Sequence, residues 1–298
     1  MNCFNGEKFL NKSISSVINQ TYSNWELIIW DNQSSDLSYK VIKKFSDNRI
    51  KYFFAENHTT LYKARGLAID KSKGDFIAFL DVDDWWCNNK LEYQIPIFKN
   101  NNVGLVYSNF YRFNENKNKT FLNYKKKLPS GRLSEKLLKS YNIGWLTVVI
   151  RKNAYENLKE KFNPKYNIIG DFDLNIRLSL DCEFHYINRA TAYCRWHGNN
   201  LQITQEKQHI EELKMWMNEM EDVKEVKSLK NFKFLKDNIN LMNLMYLAKN
   251  GYKKESIKRV MHIKGFFNKI KLIFFIIMPQ RIINLLLELF FLNIISLA

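Results

Sequence analysis

Three aspartates fall within four residues in the segment FLDVDDWW: Asp81, Asp83 and Asp84. They follow an apolar run, FIAFL, that reads as a β-strand. On an extended chain residues two apart point to the same side, so Asp81 and Asp83 can share one hard cation, or a cation and a ribose together. A divalent cation held this way bridges the two phosphates of a nucleoside diphosphate and neutralises the charge that develops as it departs. The competing reading is a solvated turn at a strand end, because Asp-x-Asp recurs by chance. A second acid favours chemistry: WELIIW, Trp25 to Trp30, also reads as a strand and runs into Asp31, so two strands deliver carboxylates to one edge. Trp85 and Trp86 follow directly, and they can either stack on a sugar face or belong to the core.

Such carboxylates act together only if a sheet aligns the strands. Apolar residues at helical spacing (Phe9, Leu10, Ile14, Val17, Ile18) precede WELIIW. A second helix is expected after Ser34 or Ser35, with Leu37, Val41, Ile42 and Phe45 on one side. Ile50 to Ala55 reads as a strand, Leu61 to Lys71 as a helix ended by Gly74, and Asp75 to Asp83 as a strand with a polar end. Strands are also expected at Val103 to Phe113 and Trp145 to Arg151, with a basic polar loop through Lys125, Lys126 and Lys127 between them. DFDLNIRLSL, Asp171 to Leu180, reads as a helix, and EFHYI and ATAYCRWH close the region as strands. Continuous apolar strands alternating with helices predict an α/β fold with a mostly parallel sheet covered on both faces, and ligands outside the carboxyl ends of the strands.

These motifs together resemble an inverting glycosyltransferase of family two, with the GT-A fold, over residues 1 to about 200. FNGEKFLNKSISSVINQTYSNWELIIWDNQSSD, Phe4 to Asp36, is similar to the family's opening stretch, and places Asn5 and Asp31 near a nucleotide. KARGLAIDKSKGDFIAFLDVDD supplies Arg65 as a nucleotide-facing arginine, with Asp81 on the nucleotide and Asp83 on the metal, Mn2+ or Mg2+. GDFDLNIRL matches the stretch holding the catalytic base, which falls on Asp171. YCRWHGNNLQ matches a late motif whose histidine, His197, reaches the metal or diphosphate. The resemblance implies that Asp171 takes a proton from an acceptor hydroxyl as that oxygen attacks the anomeric carbon opposite the nucleotide. Each assignment has a plainer rival. Asp171 and Asp173 can be acids favoured by a helix N-terminus, Arg65 an exposed helix charge and His197 a core histidine. Three positions depart from the family pattern: Gly170 stands where an acid usually precedes the base, Asn32 replaces a second acid after Asp31, and Gly66 replaces a frequent asparagine. The family's central first strand is reduced to MNCF, so this strand is expected to be truncated and the natural start to lie upstream of Met1.

Composition sets the remaining expectations. A chain of 298 residues with 46% hydrophobic content can bury a full core. Cys3, Cys87, Cys182 and Cys194 are widely spaced, as in a reduced cytosolic protein, and Glu7, Lys8 and Lys12 argue against a secretory leader. The net charge of +16 calls for an anionic partner. From Lys249 to Arg281 nine basic residues face one acid, Glu255, and lead into LIFFIIM, PQR and IINLLLELFFLNIISLA. Pro279 and Glu288 interrupt these runs, so an interfacial hairpin or amphipathic pair is expected in preference to a span, on the cytoplasmic membrane surface. Nucleic acid is not expected as a partner, because the basic residues run into an apolar tail. The domains expected are a transferase domain at 1–200, a helical appendage at 201–262 and a membrane-associating segment at 263–298. The expected partners are a nucleotide-sugar donor, UDP-linked, and a glycan or lipid-linked acceptor. A catalytically degenerate nucleotide- or glycan-binding module is the alternative. A nucleotidyltransferase would need a glycine-rich phosphate loop near the N-terminus, where only Gly6 occurs.

Overall fold

The computed structural model describes residues 1–196 and 205–260, with positions 270, 272, 273 and 276 beyond them. Two compact units are present: Met1–Leu133 with Ile143–Ile203, and Ser134–Asn142 with Thr204–Ala298. The chain begins β1 (Asn2–Cys3), α1 (Leu10–Ile18), β2 (Leu27–Asp31), α2 (Ser38–Ile42), β3 (Ile50–Phe54) and α3 (Leu61–Asp70). It continues β4 (Phe76–Ala78), β5 (Trp85–Trp86), α4 (Lys90–Gln94), β6 (Val103–Asn114) and β7 (Lys119–Leu122). After α5 (Ser134–Lys139), which belongs to the second unit, come β8 (Val149–Arg151), α6 (Lys152–Glu156), α7 (Gly170–Asp181) and β9 (Glu183–Trp196).

The first sheet has the order β1-β2-β3 and is wholly parallel. Its middle strand, LIIWD, is buried throughout, because alternation sends its side chains into two different cores. Leu27 and Ile29 join Leu10, Ile14 and Val17 of α1, while Ile28 and Trp30 pack with Ala64 and Ala68 of α3. β1 is short, yet it decides where the acids go. Cys3 pairs with Asp31 on one side, and Asn2 makes a parallel bridge to Asp81 on the other.

The second sheet runs β4-β8-β6-β9-β5, with β7 on β6, and it is mixed: among its pairs only β6 and β9 are parallel. Several boundaries differ from the sequence expectation. The strand expected over Asp75 to Asp83 is laddered only at Phe76–Ala78, because the chain turns after Asp81, where the Asp84 N–H donates to the Asp81 carbonyl at 3.1 Å. β7 was not expected, since all four of its residues are exposed and carry no burial pattern. The two strands expected near the end of this region form one strand of 14 residues. Leu37 is 53% exposed, whereas helical spacing turned it inward.

In the second unit α8 (Glu206–Met220), α9 (Lys224–Lys227), α10 (Phe232–Lys249) and α11 (Lys253–Val260) follow one another. Trp216 is fully buried there, and the Glu135 carboxylate of α5 accepts the Lys230 and Asn231 N–H groups just ahead of α10. No helix among the described residues is long and apolar enough to cross a membrane. Most of the segment 263–298 lies outside the described residues.

Candidate active site

The loops after β1 and β2 are fastened by short polar side chains. Asn5, in the left-handed region at φ 52°, accepts the Ser35 N–H on Oδ1 at 2.9 Å, and its own N–H donates to Ser34 Oγ at 2.9 Å. Asp31 is only 1% exposed; its carboxylate accepts the Ser34 N–H at 2.7 Å and the Tyr52 hydroxyl at 2.8 Å. Burial and the bond to Asp31 both push the Tyr52 phenol upward, so it remains a donor. Asp31 therefore shapes the loop from behind. A cleft of about 530 Å³ opens beside Asn5 and is also lined by Lys8, Ser35, Asp36 and Glu115. Its lining includes none of Asp81, Asp83 or Asp171.

The three acids of FLDVDDWW are separated by the turn. The expectation that extended geometry aligns Asp81 with Asp83 does not hold, since residues 82 and 83 lie in the turn. Asp84 points inward and accepts the Arg195 N–H at 2.9 Å, while Arg195 Nε donates to the Asp83 carbonyl at 3.0 Å. Burial, then the charges of Asp83 and Asp81, hold the Asp84 acid well above the ordinary carboxylate range. Three carboxyl groups thus share one electrostatic neighbourhood, and a hard divalent cation suits that donor chemistry. Among the described residues no three His, Cys, Asp or Glu side chains form a ready metal cage, so phosphate or water oxygens would have to complete the shell around Asp83 and Asp81. His197, expected as a further ligand, lies outside the described residues.

Arg65 and Tyr62 project from α3 one turn apart. The Arg65 guanidinium donates to Asp81 Oδ1 at 2.7 Å, with side-chain exposures of 5% and 39%. Burial is the largest influence and works against the cation, but Asp81, Tyr62 and Asp171 together outweigh it and the pKa rises. Arg65 is therefore no exposed helix charge; it lies behind Asp81, between the rings of Tyr62 at 4.9 Å and Trp145 at 5.6 Å. Tyr62 is 3% exposed and donates its hydroxyl to Asp171 Oδ1 at 2.9 Å. Asp171 lies in the first turn of α7, the end of a helix at which acids are preferred. Asp173, two residues on, is buried and bound to Arg177 Nε at 2.9 Å, a structural pairing along the helix.

The two tryptophans part ways. Trp86 is core, 7% exposed with its Nε1 donating to the Leu146 carbonyl, while Trp85 stacks on Tyr193 at 4.9 Å with the Lys12 ammonium over its ring at 3.4 Å. Sequence reading missed Tyr62 and Arg195. Tyr62 carried a signal, its spacing of three from Arg65 on a predicted helix. Arg195 sits within the YCRWH motif, next to the tryptophan and two residues before His197, and no local pattern marks it.

Residues 1–162 of this chain match the family Glycosyl transferase family 2. A UDP-Glc:alpha-D-GlcNAc-diphosphoundecaprenol beta-1,3-glucosyltransferase of Escherichia coli, WfgD, is 35% identical over 214 residues, covering 72% of this chain and 81% of that protein. A second Escherichia coli protein of the same described activity, WfaP, is 28% identical, covering 70% of this chain and 80% of its own length. Among solved structures, Staphylococcus aureus TarS 1-349 in complex with UDP-GlcNAc superposes with a TM-score of 0.65 at 14% identity, covering 99% of this chain and 85% of that one. The mannosyltransferase PcManGT of Pyrobaculum calidifontis, in complex with GDP-Man and Mn2+, gives 0.62 at 10% identity, with 99% and 80% covered. These structural likenesses extend to the fold.

Proposed function

The chain belongs to glycosyl transferase family 2, and we propose that it moves a hexosyl or N-acetylhexosaminyl unit from a UDP-sugar to a hydroxyl of a glycan or lipid-linked acceptor, with inversion, in cell-surface polysaccharide synthesis. The relatives named for UDP-Glc donors and diphosphoundecaprenol acceptors support both halves of that reading. The basic stretch from Lys249 to Arg281 suits an anionic membrane surface, and so an acceptor presented at the cytoplasmic face.

Asp171 is the base. It takes the acceptor's hydroxyl proton as that oxygen bonds to the anomeric carbon; the bond from that carbon to the diphosphate oxygen breaks, and its electron pair leaves with UDP. A single displacement inverts the configuration. Asn5 and the loop that Asp31 braces border the nucleotide, and Asp81, backed by Arg65, lies on its phosphate side. Asp83, with Asp81 and His197, would hold a divalent cation, Mn2+ or Mg2+, which neutralises charge on the departing diphosphate when bound.

The observation that carries this reading is the single helix α3, whose Arg65 holds Asp81 and whose Tyr62 holds Asp171. Metal-dependent UDP release from a panel of UDP-sugars, with lipid-linked acceptor present, tests it. Asp171→Asn should cut transfer by about 100-fold or more, the usual scale for a general base, while UDP binding persists. Transfer at the unmodified rate would remove Asp171 as the base; release from no donor by the unmodified protein would favour a nucleotide-binding module.

A further inference from the structure

Three observations converge on Tyr62. Its hydroxyl lies 2.9 Å from Asp171 Oδ1 and 3.1 Å from the Ile168 carbonyl. Of these acceptors a carboxylate draws the proton more strongly, because the bond is charge-assisted. The ring of Tyr62 also fills the space directly over Gly170: a Cβ placed there would come within 2.3 Å of the ring. Gly170 is not in the left-handed region, so glycine stands before Asp171 for room and not for backbone freedom. Finally, the Arg65 guanidinium packs 4.9 Å from the ring centroid while bound to Asp81.

We propose that Tyr62 is the positioning residue for Asp171, fixing the rotation of its carboxylate and tying it, through Arg65, to the phosphate-side acid Asp81. This rests on Asp171 being the base. Tyr62 touches neither donor nor acceptor; it orients the group that does. Glycine at 170 and tyrosine at 62 then form one unit, since a side chain at 170 displaces the ring. Burial, followed by the neighbouring Asp171 charge, keeps the Tyr62 phenol well above its ordinary range, so it stays protonated as a donor.

The test is a double-mutant cycle in the full chain, reading kcat and donor KM for Tyr62→Phe, Asp171→Asn and the pair. Tyr62→Phe retains the ring and should lower kcat about ten-fold or more, the scale of a hydrogen bond to a charged group, with donor KM little changed. In the Asp171→Asn background the same change should cost nothing further. An unchanged kcat for Tyr62→Phe, or an equal loss in both backgrounds, overturns the positioning role while leaving the base intact. Full activity of Asp171→Asn alone overturns the base and this inference with it. Gly170→Ala provides a second cycle: it should lower kcat when Tyr62 is present and have no added effect in Tyr62→Ala. Equal effects in both would show that the ring and the glycine are not coupled.

Discussion

Single residues in this protein take their roles from what encloses them. Asp81, Asp83 and Asp84 are the same side chain within four residues, yet one pairs with a buried arginine, one lies in a turn and one turns inward to hold β9. Lys90 is a sharper case. It is fully buried, its Nζ donates to Gln94 Oε1 and lies 4.5 Å from the Trp86 ring centroid, and burial lowers its pKa from 10.5 to about 7. The unfolded chain keeps this lysine protonated up to about pH 10. Between about pH 7 and about pH 10 the unfolded state therefore binds more protons, and the Lys90 contribution to stability rises with pH; it is lost as pH falls through that window. Lys90→Met should flatten this slope. Thermal unfolding of both proteins across the window checks it, and identical slopes would mean that Lys90 is not buried as a neutral amine.

At the scale of elements, α3 does two jobs with one periodicity. Ala64 and Ala68 lie against Ile28 and Trp30 of β2, and the small side chains allow close approach. Tyr62 and Arg65, one turn apart, serve the acids. Ala64→Leu should overpack this contact and destabilise the protein by about 1–3 kcal/mol, whereas Lys63→Leu, on the exposed side, should change stability little. Denaturant titration separates the two, and equal effects would argue against tight packing of α3 on the sheet. The helix itself was legible, because its start and its apolar positions lie in local sequence, but it closes at Asp70, with Lys71 capping it, and not at Gly74. The Asp81–Asp84 turn was not: the apolar run implied a strand continuing to Asp83, whereas the ladder stops at Ala78 and Asp81 makes only an isolated bridge to Asn2. β7 escaped for another reason, since a strand exposed along its whole length has no alternation to read.

On the scale of the molecule, a net charge of +16 with the basic stretch before the apolar C-terminus should bind anionic vesicles, with about 1 kcal/mol for each lysine or arginine near the surface. Cosedimentation should be strong at low salt and fall in about 0.5 M salt as screening shortens the Debye length. Equal binding to zwitterionic vesicles would assign the attachment to the apolar segment alone. The sequence by itself determined the α/β character, the acids at the strand ends, the helix bearing Asp171 and the family resemblance, because each is written in a local pattern of residue type and spacing. Only the tertiary structure decided that Arg65 backs Asp81, that Asp84 turns inward, and that Gly170 makes room for Tyr62 beside Asp171. Those contacts join residues 16 to 111 positions apart. No local pattern encodes them, and they exist only once the sheets and α3 have packed.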